Sequence, residues 1–420
     1  MLAKSAPRAA TKIPPILPRG RLPGMTTLRK TLLSTLGLAA LLLGPGAQAD
    51  PGALKQKVDA VIDQALAQKH IVGAVVLVAR DGKVVYQRAA GLADQQARKP
   101  MKADTLFRLS SVSKPIVTLA ALTLVERQQL SLDDPVTRWL PQFKPSLADG
   151  TTPVITIRQL LTHTAGLGYK FTEDPDGPYH QAQISDGFDE LRIDLDEELR
   201  RLAGVPLFSA PGTEWRYSLS MDVLGAVIER VTHQPLGAAV ADLVTTPLGM
   251  KDTGFLVDHA HASRVATAYF NAPSGPAAMA DPQTLPFGSM TLVYSPSRAF
   301  DAKAYPSAGA GMIGSAPDLL KLFEAMRKKD GEMFRNQVAG IPGLQPGMGF
   351  GFGGALVIDP AAAKTPQTAG TMYWGGVYGH TWFVDPAKKL TVVVFTNTAP
   401  AGMAGEFPDG LRDAVYAALP

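Results

Sequence analysis

Residues 54–69 place apolar side chains at Leu54, Val58, Val61, Ile62 and Leu66, the three-to-four spacing of one helical face. Val72–Arg80 and Lys83–Arg88 follow as two β-rich runs joined by Asp81–Gly82, a pair suited to a two-residue hairpin turn. From about Thr105 to Met290 the pattern changes to helical segments separated by Pro- and Gly-rich turns. One more helix is predicted over Pro317–Arg327, with Ser315 as its N-cap. Strand patterns return at Phe350–Val357, Thr371–Val377, Thr381–Val384 and Leu390–Asn397, and Gly405–Leu419 reads as a final helix. Strands at both ends of a helical middle predict an α/β domain built from about 50–104 and 291–420, with a mostly helical domain over about 105–290.

The first 49 residues stand apart. Arg29 and Lys30 precede the apolar run Thr31–Leu43, and Gly44–Gly46 leads into Ala47–Gln48–Ala49. A short basic stretch beginning at Met25, 13 mostly apolar residues and a small-x-small site together predict a signal peptide over 25–49, cleaved after Ala49. The run is shorter than the ~20 residues that span a bilayer, so no membrane span is expected after cleavage. Residues 1–24 are basic and Pro-rich and do not fit the n-region of such a peptide. The expected location is therefore the periplasm or the exterior.

Charge changes the picture once that segment is set aside. Seven of the 41 Lys and Arg lie in residues 1–49 and none of the 37 Asp and Glu, which leaves 34 basic against 37 acidic side chains. A balance of about −3 gives no case for nucleic acid. The 420 residues are 46% hydrophobic and 19% charged, which excludes a disordered or collagen-like chain. The lack of cysteine removes thiol nucleophiles, disulfides, iron–sulfur clusters and cysteine zinc sites.

The sharpest local chemistry is Phe107–Arg–Leu–Ser–Ser111–Val–Ser–Lys114–Pro115, followed by the apolar run Ile116–Val125. Proline is tolerated where a helix leaves an N–H unpaired, so a helix should begin shortly before Pro115. Ser111 and Lys114 then share one face of the first turn. The helix N-terminus favours an oxyanion, and a lysine against a buried helix could activate Ser111 for acyl transfer. Ser111 is the only serine with a lysine three residues on. The competing reading makes Ser110 or Ser111 a helix cap and Lys114 a solvated lysine.

Three further segments bear on that choice: Leu160–Leu–Thr–His163–Thr–Ala–Gly–Leu167, Pro211–Gly–Thr–Glu–Trp–Arg–Tyr217–Ser–Leu219, and Tyr373–Trp374–Gly375–Gly376–Val377–Tyr–Gly–His380. With the Ser-x-x-Lys element, and in this order, they resemble the serine β-lactamase and DD-peptidase superfamily. The nearest likeness is to its family VIII carboxylesterases, which are related to class C β-lactamases. The resemblance implies a β-lactamase/transpeptidase-like fold of the α/β (α+β) class, an antiparallel sheet flanked by helices plus a mostly helical domain. It also implies Ser111 as nucleophile, Lys114 and Tyr217 as the base, and the N–H groups of Ser111 and Val377 as oxyanion hole. Substrate-binding positions would be Trp374, Gly375, Gly376 and Leu219. Leu219 replaces the asparagine of the family's Tyr-x-Asn motif, and Trp374 replaces a cationic residue. Those departures favour a neutral short-chain ester over a β-lactam or peptidoglycan amide, which is the alternative reading. A non-catalytic binding protein that retains the fold is a second alternative. No metal and no organic cofactor is expected, and the partner is a small-molecule ester.

Other patterns carry less. Tyr269–Phe–Asn271 matches Tyr-x-Asn literally but lies in an Ala-, Pro- and Gly-rich stretch, and Lys364–Thr–Pro366 has a proline where the family's Lys/His-Thr/Ser-Gly motif has glycine. Gly309–Ala–Gly311–Met–Ile–Gly314 spells a dinucleotide fingerprint without a supporting βαβ unit and reads as a tight loop near the cleft. His259 and His261 lack further ligands at metal spacing. His163 reads as a structural histidine, and His380 has no assignable role. No Gly-x-Ser-x-Gly occurs, which argues against an α/β-hydrolase nucleophile elbow.

Overall fold

A computed structural model describes residues 51–329 and 331–419. The predicted signal peptide and its cleavage site lie outside the described residues. The apolar face read at 54–69 forms α1 (Pro51–Ala67), and the chain then enters β1 (Gly73–Arg80), β2 (Lys83–Asp94) and the short β3 (Lys99–Pro100). Asp81 and Gly82 both take positive φ, 50° and 80°, as a two-residue turn matched to strand twist requires. β4 (Leu106–Arg108) leads into α2 (Ser113–Glu126), followed by α3 (Ile157–Leu161), α4 (Pro178–Gln181), α5 (Leu195–Ala203), α6 (Ser220–Thr232) and α7 (Leu236–Val240).

The stretch read as helical up to 290 departs from that reading at its end. It carries two hairpins, β5 (Tyr269–Ala272) with β6 (Gly275–Ala278), and β7 (Gln283–Phe287) with β8 (Met290–Tyr294). Gly275 and Gly288 have φ of 112° and 62°, so glycine supplies the reversals, and Tyr269 and Phe270 pair with Ala278 and Ala277 while Thr284 pairs with Val293. After β9 (Ile313–Ser315) come α8 (Ala316–Lys329), β10 (Met348–Phe350), β11 (Ala355–Val357), α9 (Pro360–Ala363), β12 (Met372–Gly376), β13 (His380–Asp385), β14 (Leu390–Thr396), β15 (Thr398–Ala399) and α10 (Glu406–Ala418). Phe350–Val357, read as one strand, is two, because Gly351 N–H bonds back to the Gly354 carbonyl and Gly353 takes φ 100°.

Eight strands form one antiparallel sheet in the order β10-β11-β12-β13-β14-β1-β2-β3, so both ends of the described chain meet at the β14–β1 pair. Side chains alternate between two cores. Ala74, Val76, Val78, Val392 and Val394 pack with Leu54, Val58 and Ile62 of α1 and Phe407, Leu411 and Val415 of α10. Val75, Leu77, Val393 and Phe395 face the other way, onto Leu319, Leu322 and Phe323 of α8 and Ile116 and Ala120 of α2. With both faces covered, β1 and β14 are apolar at nearly every position, each buried Val or Leu being worth ~1.5–3 kcal/mol. Among the described residues no helix is long and apolar enough to cross a membrane.

Candidate active site

The nucleophile turn is strapped from below. β4 pairs with β9, the Leu109 N–H bonds the Met312 carbonyl at 2.8 Å, and Ser110 is driven to φ 42°, a left-handed conformation that costs a non-glycine residue about 1–3 kcal/mol. One 3₁₀ turn, Ser110–Val112, then passes into α2. The N-cap of α2 is Val112 and no side chain caps it, so neither serine serves as a cap. Pro115 is the third residue of the helix, where its missing N–H goes unmissed. His380, buried on β13, donates Nε2–H to the Arg108 carbonyl at 2.8 Å and holds the turn to the sheet. Burial pushes its pKa down to about 4, so it stands neutral.

Ser111 is partly exposed, whereas Lys114 is 3% exposed. Lys114 Nζ donates to Ser111 Oγ at 3.2 Å and to the Gly309 carbonyl at 2.8 Å. It also lies 4.6 Å from the ring centroid of Tyr217 and 5.4 Å from that of Tyr169, within cation–π range of both. The glycine-rich stretch at 309–314 is thus the loop that receives the lysine, and its Gly309 N–H is held by Asp222 Oδ1 at 3.2 Å. Burial raises the pKa of the Asp222 carboxyl, against the pull of the neighbouring Lys114.

Tyr217 arrives from the loop before α6. Gly212, at φ 86°, bonds Thr164, Trp215 N–H bonds the Pro342 carbonyl, and Tyr217 Oη donates to Ser111 Oγ at 2.6 Å. Trp374 Nε1–H donates to Tyr217 Oη at 3.3 Å, with the two ring centroids 5.2 Å apart. Tyr269 lies apart from this cluster, and its hydroxyl accepts the Gln95 N–H at 2.8 Å on the small β5–β6 sheet. Lys364 is exposed at the end of α9.

β12 ends against the nucleophile turn. A Cβ at Gly376 would lie 2.5 Å from the Leu109 carbonyl oxygen and 2.7 Å from Ser110 Oγ, so only glycine allows this approach. At Gly375 the obstacles are Met403 and the His380 carbonyl. Both glycines therefore allow close packing against protein on the side a Cβ would occupy. Beyond Gly376 the chain turns back: Gly379 N–H bonds the Gly376 carbonyl at 2.8 Å, Tyr294 Oη donates to the Val377 carbonyl at 3.3 Å, and Tyr378 N–H reaches Ser110 Oγ at 3.5 Å. Both peptide units that flank Val377 are thereby held.

Leu219 is a correction. It is fully buried at the start of α6, in the core with Val223 and Leu224, and a side chain with no exposed surface does not contact a substrate. Tyr169 and Asp222 were missed from sequence, since neither lies in a pattern with a chemical signature. His261 pairs with Asp258 on an exposed loop. No group of three or more potential metal ligands occurs among the described residues.

A serine oxygen within hydrogen-bond reach of a phenol oxygen and a buried lysine nitrogen, at the head of a buried helix, can pass its proton to whichever of the two is deprotonated as it attacks a carbonyl. Held on this sheet-and-helix frame, that chemistry makes the protein a serine hydrolase. Comparison with known proteins then narrows the class. The chain belongs to the Beta-lactamase family, whose profile matches residues 58–416, and within that superfamily it stands with the family VIII esterases. It is 53% identical over 380 residues to Esterase EstB of Burkholderia gladioli, covering 88% of this chain and 96% of that one. The solved structure of EstCE1, described as a hydrolase with promiscuous acyltransferase activity, superposes with TM-score 0.83 at 46% identity, over 87% of this chain and 99% of that one. Unliganded simvastatin synthase (LovD) of Aspergillus terreus shares the fold, with TM-score 0.64 at 22% identity over 88% and 99% of the two chains.

Proposed function

We propose that the protein is an exported carboxylesterase that hydrolyses short-chain esters through an acyl-enzyme on Ser111. The observation that carries this reading is the 2.6 Å contact between Tyr217 Oη and Ser111 Oγ, with Lys114 Nζ 3.2 Å from the same oxygen. As Ser111 Oγ bonds to the ester carbonyl carbon, its proton passes to the Tyr217–Lys114 pair, which enters the reaction with one of its two groups deprotonated. The carbonyl oxygen takes the negative charge against the N–H groups of Ser111 and Val377, and two such donors are commonly worth several kcal/mol of transition-state stabilisation. Collapse breaks the bond to the alkoxy oxygen, which leaves as alcohol with the proton from the pair. Water, deprotonated by the same pair, then attacks the acyl carbon; collapse breaks the acyl–Oγ bond, returns the proton from the pair to Ser111 Oγ and releases the carboxylic acid.

Preference for a neutral ester rests on Trp374, an apolar side chain in place of a cation on β12, and on the relatedness to an esterase. Leu219 no longer contributes to that argument. Export rests on the sequence of residues 25–49.

Hydrolysis of p-nitrophenyl butyrate and of a chromogenic cephalosporin, measured side by side in wild type and Ser111→Ala, tests the proposal. Strong ester turnover lost in Ser111→Ala, with little lactam turnover, is the expected result. Dominant lactam turnover would replace it with the β-lactamase reading. Ester turnover that survives in Ser111→Ala removes the mechanism. For export, N-terminal sequencing of protein from a periplasmic fraction should begin at Asp50.

A further inference from the structure

We propose that His163 is a positioning residue for the catalytic base, gripping the chain on both sides of Tyr217 through its carbonyl and an unprotonated Nδ1. The inference rests on the reading of Tyr217 as part of the base. His163 follows α3 in a left-handed conformation, φ 56°, and its side chain is 1% exposed. Its carbonyl accepts the Arg216 N–H at 2.9 Å. Its Nδ1 accepts the Ser218 N–H at 3.3 Å and lies 3.2 Å from Ser218 Oγ, which in turn is 2.8 Å from Ser220 Oγ. One residue thus bonds the N–H groups immediately before and after Tyr217. The imidazole also packs on the phenol ring itself, with centroids 4.9 Å apart, and edge-on against Phe350 at 5.5 Å.

The arrangement dictates a protonation state. A nitrogen that faces a backbone N–H must offer a lone pair, so the proton of the neutral ring belongs on Nε2. Protonated Nδ1 would set N–H against N–H and release the loop that carries Tyr217. Burial and the Lys114 ammonium nearby both act against the charged form. What depends on the grip is the 2.6 Å reach of Tyr217 Oη to Ser111 Oγ. A displacement of about 1 Å at such a contact costs on the order of 100-fold in rate.

His163→Leu and His163→Asn separate this role from a purely structural one. Asparagine places an amide oxygen near the position of Nδ1 and tolerates positive φ, whereas leucine offers no acceptor. With p-nitrophenyl butyrate, and with folding of each variant checked by circular dichroism and melting, His163→Leu should lose about 30-fold or more in kcat with KM changed less than about threefold. His163→Asn should stay within about threefold of wild type in both constants. A folded His163→Leu with wild-type kcat overturns the proposal, as does a folded His163→Asn that has lost kcat by about 30-fold. If His163→Leu does not fold, His163→Asn decides alone. A second readout needs no variant: ¹⁵N-histidine spectra of wild type should show His163 with Nε2 protonated and Nδ1 bare at neutral pH, and a protonated Nδ1 would refute the grip. Ser111→Ala run in parallel keeps the two claims apart, because ester turnover surviving there defeats the serine mechanism, whatever His163 does.

Discussion

Ser111 Oγ has two partners, Tyr217 Oη and Lys114 Nζ, and Tyr217 is itself held by Trp374. Tyr217→Phe deletes the hydroxyl at 2.6 Å while keeping the ring that packs on His163 and Tyr169. The fold should survive, and kcat should fall by roughly 10²–10⁴, the usual yield of a positioned proton-transfer group. Steady-state ester hydrolysis alongside a melting curve checks both halves. Trp374→Phe removes the Nε1–H donated to Tyr217 Oη at 3.3 Å together with part of the indole that packs on Tyr217 and Phe350. One hydrogen bond of this kind is worth about 0.5–1.5 kcal/mol, so a loss of roughly 2- to 12-fold in kcat is expected. An unchanged kcat would show that the bond does not support the base. At this scale Ser111 and Lys114 were legible because a fixed spacing on one helix turn needs no tertiary information. Leu219 was misplaced for the converse reason: a motif position does not say which way the side chain points, and this one points into the core.

Among the elements, β12 and the 3₁₀ turn at Ser110–Val112 form the tightest join. Gly376→Ala puts a methyl 2.5 Å from the Leu109 carbonyl oxygen and 2.7 Å from Ser110 Oγ. The Leu109 carbonyl is backbone and cannot swing aside as a side chain would, so strand or nucleophile turn must shift. A shift of even 1 Å predicts a fall in kcat on the order of 100-fold, with a lowered melting temperature. Gly254→Ala is the matched control: a Cβ there meets nothing within 4 Å, and activity should be unchanged. Element existence was mostly readable from pattern. The Asp81–Gly82 hairpin, the buried α2 and the apolar β14 announce themselves locally. The hairpins at 269–294 did not, because their strands are short and gain order from contacts such as the pairing of Tyr269 with Thr398.

Across the protein as a whole, burial sets the pH range of stability. Glu198 on α5 is fully buried, accepts the Ser185 N–H at 3.1 Å, and has its pKa pushed up to about 9, mainly by loss of water. Asp186, also buried, is raised to about 8, again chiefly by burial. In the unfolded chain these carboxyls lose their protons near their ordinary values, 4.5 for glutamate and 3.8 for aspartate. Between those values and pH 8–9 the folded state therefore binds more protons, and their contribution to stability falls as pH rises. Urea midpoints taken from pH 6 to 9 should decline, and Glu198→Gln, neutral at every pH, should flatten part of that slope. An identical slope in Glu198→Gln would mean that Glu198 is ionised in the fold. His380 works on the other side: held neutral with a pKa of about 4, it costs stability as pH falls from 6.5 towards 4.

Whatever depends on neighbours along the chain could be read from the amino acids alone: the helices and main strands, the two-residue turn, the Ser-x-x-Lys spacing, and, through four segments in order, the superfamily. Hydrophobic periodicity and turn chemistry are local properties, and they suffice for that much. Which groups meet was settled by the folded chain. Folding brought Tyr217 from 106 residues away onto Ser111, made the Gly309 carbonyl a seat for Lys114, and sent Tyr269 to the backbone of Gln95 instead. Such meetings depend on how a twisted sheet and its helices close around one core, and no span of adjacent residues encodes that geometry.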